Sequence, residues 1–439
     1  MNVRIELHVQ LGESEGDGHP SQPALAAPAG PAEPRRFLAG GRREAPQVTP
    51  EVLRTDRPGG KELGRVLMES GALSSDWAPT FAAVDRAAFL PDLMWPYDLE
   101  TRASTTVDKR EDPDAWYAAA DRNVPIVTQW DDGAHQGPAP GKLSTSSSSM
   151  PTVVYALLQD LGVDGGMRVL DVGTGTGETA GALTHLLGPG NVTTIEVDGS
   201  VSGAARERLC RHGLYPEVVV GDGFEGHPDS APYDRILATV GVRDIPDAWV
   251  RQIRPGGIIL APWGTHFGNA DAVVRLEARG ESVTGPFTQS VEFMKLRTQR
   301  GPTVHHTDYL SASPMEEAAR TATGVTEEEF VTGQYTALPF VLGLRVPACR
   351  QAVAEKRDGA RPVWFYSLSD LSWACVMFRD GEREAEVWQS GPRRLWDEVS
   401  TVYHWWRDRG SPDVTRFGLT ATAYGQRAWL DDPKESWPV

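Results

Sequence analysis

From residue 151 onward, hydrophobic positions switch repeatedly between two spacings, and that switching is the strongest regularity in the chain. Apolar residues at helical intervals over 153–161, 178–187, 201–212 and 247–253 predict helices. Short runs at 168–172, 192–196, 217–220, 233–238 and 258–263 have the length and β-branched content of strands. Strands alternating with helices in this way predict a parallel, doubly wound α/β sheet with its ligand loops at the carboxyl ends of the strands. Later runs near 272–276 and 291–296 are placed as an antiparallel edge.

Upstream, Leu63, Val66 and Leu67, then Phe81, Val84 and Phe89, recur at helical intervals before Pro91 stops the run, and 124–130 reads as a strand. Residues 1–48 are rich in Pro, Ala, Gly and charge and are expected to be a disordered leader, although 3–10 alternates like an edge strand. Helical patterning starts at about residue 49. Beyond about residue 300 the composition changes, and the tail holds Trp364, Trp373, Trp388, Trp396, Trp405, Trp406, Trp429 and Trp437, more than half of the 14 tryptophans. Strands are expected over 363–368, 372–378 and 385–388, an amphipathic helix over 393–406 and a hairpin over 417–430. The expected organisation is therefore leader 1–48, catalytic domain 49–300 and a tryptophan-rich C-terminal α+β domain 301–439. Its aromatics either pack a core or line a peptide-binding groove.

A net charge of −17 argues against nucleic acid as a partner, since backbone binding is driven by clustered Lys and Arg. A local basic groove around Arg243, Arg251 and Arg254 stays open as a surface feature. Cys210, Cys349 and Cys375 are odd in number and far apart, so neither a disulfide scaffold nor a zinc site is expected, and a reducing cytoplasm is the expected home. No membrane span and no secretory signal are read.

The chemistry centres on Arg168-Val-Leu-Asp-Val-Gly-Thr-Gly-Thr-Gly177, a strand that runs into an acid and alternating glycines. Gly175-x-Gly177-x-x-Ala180 can be forced onto the dinucleotide fingerprint, but a dinucleotide brings a pyrophosphate whereas S-adenosylmethionine brings an ammonium and a sulfonium. Successive strands here end in acids. Asp171 is placed to face the methionine end, Glu196 to accept the ribose hydroxyls, and Asp222 in Gly221-Asp222-Gly223 to read the adenine. The cofactor set is thus Asp171, Gly173, Thr174, Gly175, Gly177, Glu196, Asp222 and Gly223, with S-adenosyl-L-methionine as cofactor and no metal.

Together with Val84-Asp-Arg-Ala-Ala-Phe-Leu-Pro91, Gly221-Asp-Gly-Phe-Glu-Gly226, Ala231-Pro-Tyr-Asp-Arg-Ile236 and Ile253-Arg-Pro-Gly-Gly257, this stretch resembles the protein-L-isoaspartate O-methyltransferase family. The resemblance implies a Rossmann-like class I S-adenosylmethionine-dependent methyltransferase sheet preceded by a helical segment. It also implies an acceptor loop of the type Ile-Ser-x-Pro, matched here by Leu143-Ser-Thr-Ser-Ser-Ser-Ser-Met150. The family serine falls on Ser147 without a gap and on Ser146 with one insertion, and the proline is absent. Ser146, Ser147 and Ser148 are the expected catalytic hydroxyls, with Ser144, Thr145, Ser149, Thr239 and Arg243 as substrate-binding residues. The long tail, with Ser390-Gly-Pro-Arg-Arg-Leu-Trp-Asp-Glu-Val399 and Arg416-Phe-Gly-Leu-Thr420, resembles an actinobacterial branch linked to ribosomal peptide natural products such as lanthipeptides and graspetides. That resemblance implies methylation of an aspartate in a precursor peptide, with the ester closing to an aspartimide and opening to isoaspartate, and general repair of isoaspartyl proteins is the alternative.

Methyl transfer to a carboxylate requires no general base, because a free aspartate is ionised above about pH 3.9. Positioning and aimed hydroxyl donors suffice. A catalytically silent peptide-binding subunit is the rival from another class, and intact Asp171, Glu196 and Asp222 weigh against it. Nucleic-acid methylation lacks both the charge and an Asn-Pro-Pro-Tyr motif.

Overall fold

The computed structural model describes residues 57–333 and 335–439, so the expected leader and its edge strand lie outside the described residues. A helix at Pro58–Glu69, a short one at Ala78–Ala83 and a 3-10 turn at Arg86–Phe89 use the predicted apolar positions and lead into a small antiparallel sheet. Its strands are β1 (Leu93–Asp98), β2 (Ala103–Ser104), β3 (Val107–Asp108), β4 (Ile126–Trp130) and β5 (Ser144–Ser148). The serine-rich stretch expected as a loop is therefore a strand. Ser144, Ser146 and Ser148 face inward and Thr145 and Ser147 outward, the two-residue alternation of a pleated chain.

The main sheet begins with β6 (Val169–Val172), β7 (Val192–Glu196), β8 (Glu217–Val220), β9 (Tyr233–Ala238) and β10 (Ile253–Gly264), all parallel in the order β8-β7-β6-β9-β10. Strand β6 is buried along its whole length, which is why it reads as an unbroken apolar run apart from Asp171. Helices Pro151–Leu161 and Glu178–Leu187 bury Leu157, Leu161, Leu183 and Leu187 against one face, while Trp249 and Trp263 fill the other. Antiparallel β11 (Asp271–Arg279) and β12 (Ser282–Val291) extend the sheet. The second of these lies ahead of the run expected at 291–296. Gly280, at φ +64°, sits in a two-residue turn that pairs Arg279 with Ser282 and so fixes the register.

The tail forms a separate antiparallel sheet of β13 (Ala319–Thr323), β14 (Cys349–Val353), β15 (Ala360–Ser367), β16 (Trp373–Arg379) and β17 (Ala385–Ser390), backed by the helix Leu395–Asp408. Trp364, Trp373, Trp388 and Trp396 are buried in its two apolar layers, so these aromatics pack a core. The chain then returns to the main sheet. Strands β18 (Phe417–Thr422), β19 (Gly425–Leu430) and β20 (Ser436–Pro438) continue it past β12, giving ten strands. The expected hairpin exists, but residue 300 does not end the main sheet, because β12 presents Val283 and Phe287 as an apolar edge that β18 covers.

Gln426 on β19 shows what this return achieves. Its amide donates to the Arg243 carbonyl at 3.0 Å and the Asp244 carboxylate at 2.8 Å, and accepts from the Ile245 N–H at 2.8 Å. Gln426→Ala leaves those buried groups without partners and is expected to cost about 1–3 kcal/mol. Urea unfolding measures the loss, and a change under about 0.5 kcal/mol contradicts this role.

Candidate active site

A cleft of about 860 Å³, open mouth included, lies at the carboxyl ends of β6, β7 and β9 and is closed on its far side by β5. Gly173, Gly175 and Gly177 all have positive φ, and a Cβ on Gly173 would meet Val240 at 2.7 Å. A Cβ on Gly175 would lie 3.4 Å from the Ser147 carbonyl and 3.9 Å from Ser146 Oγ, so the glycine loop packs directly on the serine strand.

Acidic groups ring this loop. Glu196 Oε2 accepts from the Gly175 N–H at 3.0 Å, and its other oxygen accepts from the Asp198 N–H at 3.2 Å. Thr194 donates to Asp171 Oδ2 at 2.8 Å and bonds Thr174 Oγ1 at 2.7 Å. Asp171 Oδ1 is buried without a partner. Burial pushes the Asp171 carboxyl up to about 7, with the Thr194 bond opposing and the Glu196 charge adding. Asp171 is fully enclosed beneath the cleft rather than on its wall.

The serines divide by function. Ser148 Oγ accepts from Arg86 Nε and donates to Glu178 Oε2, both at 2.9 Å. Ser146 Oγ accepts from Thr128 at 3.2 Å, Thr145 bonds Gln129 at 2.8 Å, and Ser144 Oγ is buried outside the cleft without a partner. Ser147 and Ser149 line the cleft with no side-chain hydrogen bond among the described residues. Thr239 Oγ1 donates to the Gly173 carbonyl at 2.9 Å and also lines it.

Besides Ser144 and Asp171, three more expected residues, Gly177, Asp222 and Arg243, do not line the cleft. Asp222 accepts from the Phe224 N–H at 2.9 Å and caps a 3-10 turn, leaving its neighbour Gly223 on the cleft wall. Arg243, expected to bind substrate, is not on the cleft wall: its guanidinium donates to the carbonyls of Gln299, at 3.1 Å, and Thr265 beside the cleft. Burial lowers it to about 10.

Sequence reasoning missed four contributors. Arg86 sits inside Val84-Asp-Arg-Ala-Ala-Phe-Leu-Pro91 and donates to the carbonyls of Arg122 and Val124 at 2.9 Å and to Ser148 Oγ, fixing the serine strand from behind. Glu178, the first helical residue after the glycines, lines the cleft and is held up by burial against the pull of Arg86. Arg297 and Arg300 form the mouth. Arg300 grips Asp132 with two bonds of 2.7 and 2.9 Å, and Arg297 bridges Asp132 and Asp198 at 3.0 Å each. Their acidic partners are Asp132 and Asp198, far from them along the chain. Among the described residues no cluster of His, Cys, Asp or Glu is placed to hold a metal ion, and no helix is long and apolar enough to cross a membrane.

The family profile of protein-L-isoaspartate(D-aspartate) O-methyltransferase matches residues 121–301. The protein-L-isoaspartate O-methyltransferase of Thermotoga maritima is 33% identical over 139 residues, 31% of this chain and 41% of that protein. For the several curated relatives of that name the chain spans about half of their length, 41% in one case and 56% in another. The enzyme of the same name from Thermococcus onnurineus is 31% identical over 180 residues, which is 40% of this chain and 80% of the relative. Among solved structures, a protein-L-isoaspartate O-methyltransferase aligns over 85% of this chain and 100% of its own at 20% identity and a TM-score of 0.46. A sheet of this strand order, a cleft at its switch point and a match over four-fifths of a relative meet in one result: the chain belongs to the protein-L-isoaspartate O-methyltransferase family.

Proposed function

We propose that the chain is an S-adenosylmethionine-dependent carboxyl O-methyltransferase that esterifies isoaspartyl carboxylates in proteins or peptides. The observation that supports this reading is the packing of the glycine loop on the serine strand, which brings the glycines and a row of hydroxyls into the lining of one cleft.

The cradle fits the cofactor. The bare Asp171 oxygen, Glu178 and Glu196 offer negative charge to a cation, and Glu196 keeps free lone pairs for a diol. S-adenosylmethionine supplies an electrophilic methyl group on a cationic sulfur. Ser147 donates its hydroxyl to the incoming carboxylate, and Ser149 and Thr239 bound its site. Ser148 is committed to Arg86 and Glu178 and keeps the strand in place. The attacking oxygen is already ionised, so these residues position and desolvate rather than move a proton.

Binding has a pH signature. Asp171 has its folded value raised from 3.8 to about 7, so its contribution to stability is full below 3.8 and is lost as pH rises through about 7. A bound cation favours the ionised form, and binding therefore expels a proton. Affinity for S-adenosylmethionine is expected to fall as pH drops below about 7, by up to about tenfold per unit, and to be flat in Asp171→Asn. Calorimetry in buffers of different ionisation enthalpy reads the proton directly, and zero release at pH 6.5 or so removes Asp171 from this role.

A second reading, methylation of an ordinary aspartate in a constrained precursor peptide on the way to aspartimide or isoaspartate, is favoured by one feature. A hydroxyl stands at every position of β5 and at Ser149, so the proline of the expected motif is replaced by Ser148 or Ser149, and the α+β sheet is added alongside. Mass spectrometry of an isoaspartyl peptide, a linear aspartyl peptide and a cyclised aspartyl peptide with the enzyme and S-adenosylmethionine separates the readings. Methylation of the isoaspartyl peptide supports the first, methylation of the cyclised aspartyl peptide alone supports the second, and none at all overturns both.

A further inference from the structure

Three basic side chains from three parts of the fold converge beside the cleft with no carboxylate in contact with them, although Asp271 and Asp244 act on Arg243 through space. Arg243 comes from the loop after β9, His266 from the turn after β10 and Arg350 from β14 of the tail sheet. A Cβ on Gly301 would lie 3.0 Å from His266 Nδ1, 3.1 Å from Arg350 Nη2 and 3.5 Å from Arg243 Nη2, so all three nitrogens point at the same side of a residue that has no side chain. His266 Nδ1 and Arg350 Nε are buried with no hydrogen-bond partner. Among the described residues neither Arg243 nor Arg350 forms an ion pair with a carboxylate. The arrangement is held in place, since the Gln351 N–H donates to the Phe267 carbonyl at 2.7 Å and joins β14 to the turn carrying His266.

Buried cations are ordinarily paired, because an unpaired one sacrifices its hydration for nothing. Here His266 is lowered to about 4 by burial and by the charges of Arg243, Arg350 and Lys295, Arg243 is lowered by burial and by Arg350, and Arg350 is lowered by burial. Such a cluster lacks an anion. It also lies next to the chemistry, because Gly301 directly follows Arg300 on the cleft mouth, and Lys295 on the cleft wall adds its charge to both His266 and Arg243. The Lys295 ammonium is itself paired with buried Asp271 at 2.5 Å, so the charge without a contacting carboxylate is that of the Arg243 and Arg350 guanidiniums, with His266 a neutral hydrogen-bonding group beside them.

We propose that Arg243, His266 and Arg350 form an anion site at the seam between the main sheet and the tail sheet that holds a carboxylate of the peptide substrate other than the one being methylated. This rests on the methyltransferase reading for its substrate, and it gives the tail sheet a direct part in choosing the peptide. Arg350 is its contribution. The preferred acceptor is then an acidic peptide with a second Asp or Glu at a fixed distance from the methylated residue.

The test uses the full chain and a fluorescent isoaspartyl peptide, with glutamate placed in turn at every other position and a glutamine twin of each. Anisotropy gives affinity and mass spectrometry gives methylation. A charge-assisted hydrogen bond makes the glutamate peptide bind about tenfold more tightly than its twin at the position that reaches the trio. That preference vanishes in Arg350→Gln and in Gly301→Ala, which fills the space while leaving every charge, and kcat changes less than the affinity does. Gly301→Ala carries the test alone if Arg350→Gln does not fold. Peptides that are methylated with no glutamate preference at any position overturn the anion site and leave the methyltransferase standing. A preference that disappears in both variants while no peptide is methylated upholds the anion site and overturns the methyl-transfer reading. A preference that survives in both variants overturns the site.

Discussion

Arg86→Met is expected to remove about 3–5 kcal/mol of folding stability and to slow methyl transfer by about a hundredfold in the protein that remains folded. The guanidinium is 5% exposed and binds the backbone of two segments together with a serine hydroxyl. Methionine keeps the stem but leaves the carbonyls of Arg122 and Val124 without their donor. It also strands Glu178, whose carboxylate lies 3.8 Å from the guanidinium. The pH dependence has a definite sign. Glu178 already has a folded value raised above 4.5, and losing Arg86 raises it further, so the variant's deficit grows as pH rises above 4.5 and shrinks as pH falls toward it. Urea unfolding at several pH values measures this. Adding Glu178→Met should recover part of the stability, since it removes the stranded charge, but not the rate, since the serine strand still lacks its support. A double variant as unstable as the single one, at every pH, sinks the account.

Glu196→Ala is expected to weaken S-adenosylmethionine binding by about a hundredfold while moving the melting temperature little. Each charge-assisted bond from a hydroxyl to a carboxylate contributes about 1.5–3 kcal/mol, and a ribose diol makes two of them. Glu196→Gln, which keeps one acceptor oxygen but no charge, should fall between. Calorimetry decides the matter, and equal affinity for wild type and Glu196→Ala would falsify the assignment. Asp222→Ala should be milder, because that side chain is occupied with the Phe224 N–H and only the neighbouring glycine reaches the cleft wall.

These two residues mark the limits of reading the chain alone. Glu196 was legible, because a carboxylate at the end of a parallel strand next to a glycine loop has few other reasons to be there. Arg86 was visible as part of a motif but not as a hub, since its partners lie up to 63 residues away and nothing local indicates them. Serine has low strand propensity and favours turns, so β5 reads as a loop until the donors from Arg86 and the pairing with β4 are seen. The chain order puts Arg243 in an acceptor-facing loop, but its direction is set by two carbonyls, of Thr265 and Gln299, that the chain order does not bring together. For the terminal hairpin, alternation gives the hairpin but not the sheet that takes it. Its partner across the Thr284–Thr420 hydroxyl bond is 136 residues away.

That separation bears on how the protein is made. The chain leaves the main sheet after β12, builds the tail sheet from sequential hairpins, and only then supplies β18. At roughly 5–20 residues per second, a ribosome leaves the apolar edge of β12 uncovered for on the order of ten seconds. The intervening hairpins are local and fold quickly, so they are complete while the older half of the sheet still waits. Strands β18 to β20 thus complete a sheet whose other strands were made before the tail sheet, and a nascent chain stalled before β18 presents Val283 and Phe287 to any neighbouring strand.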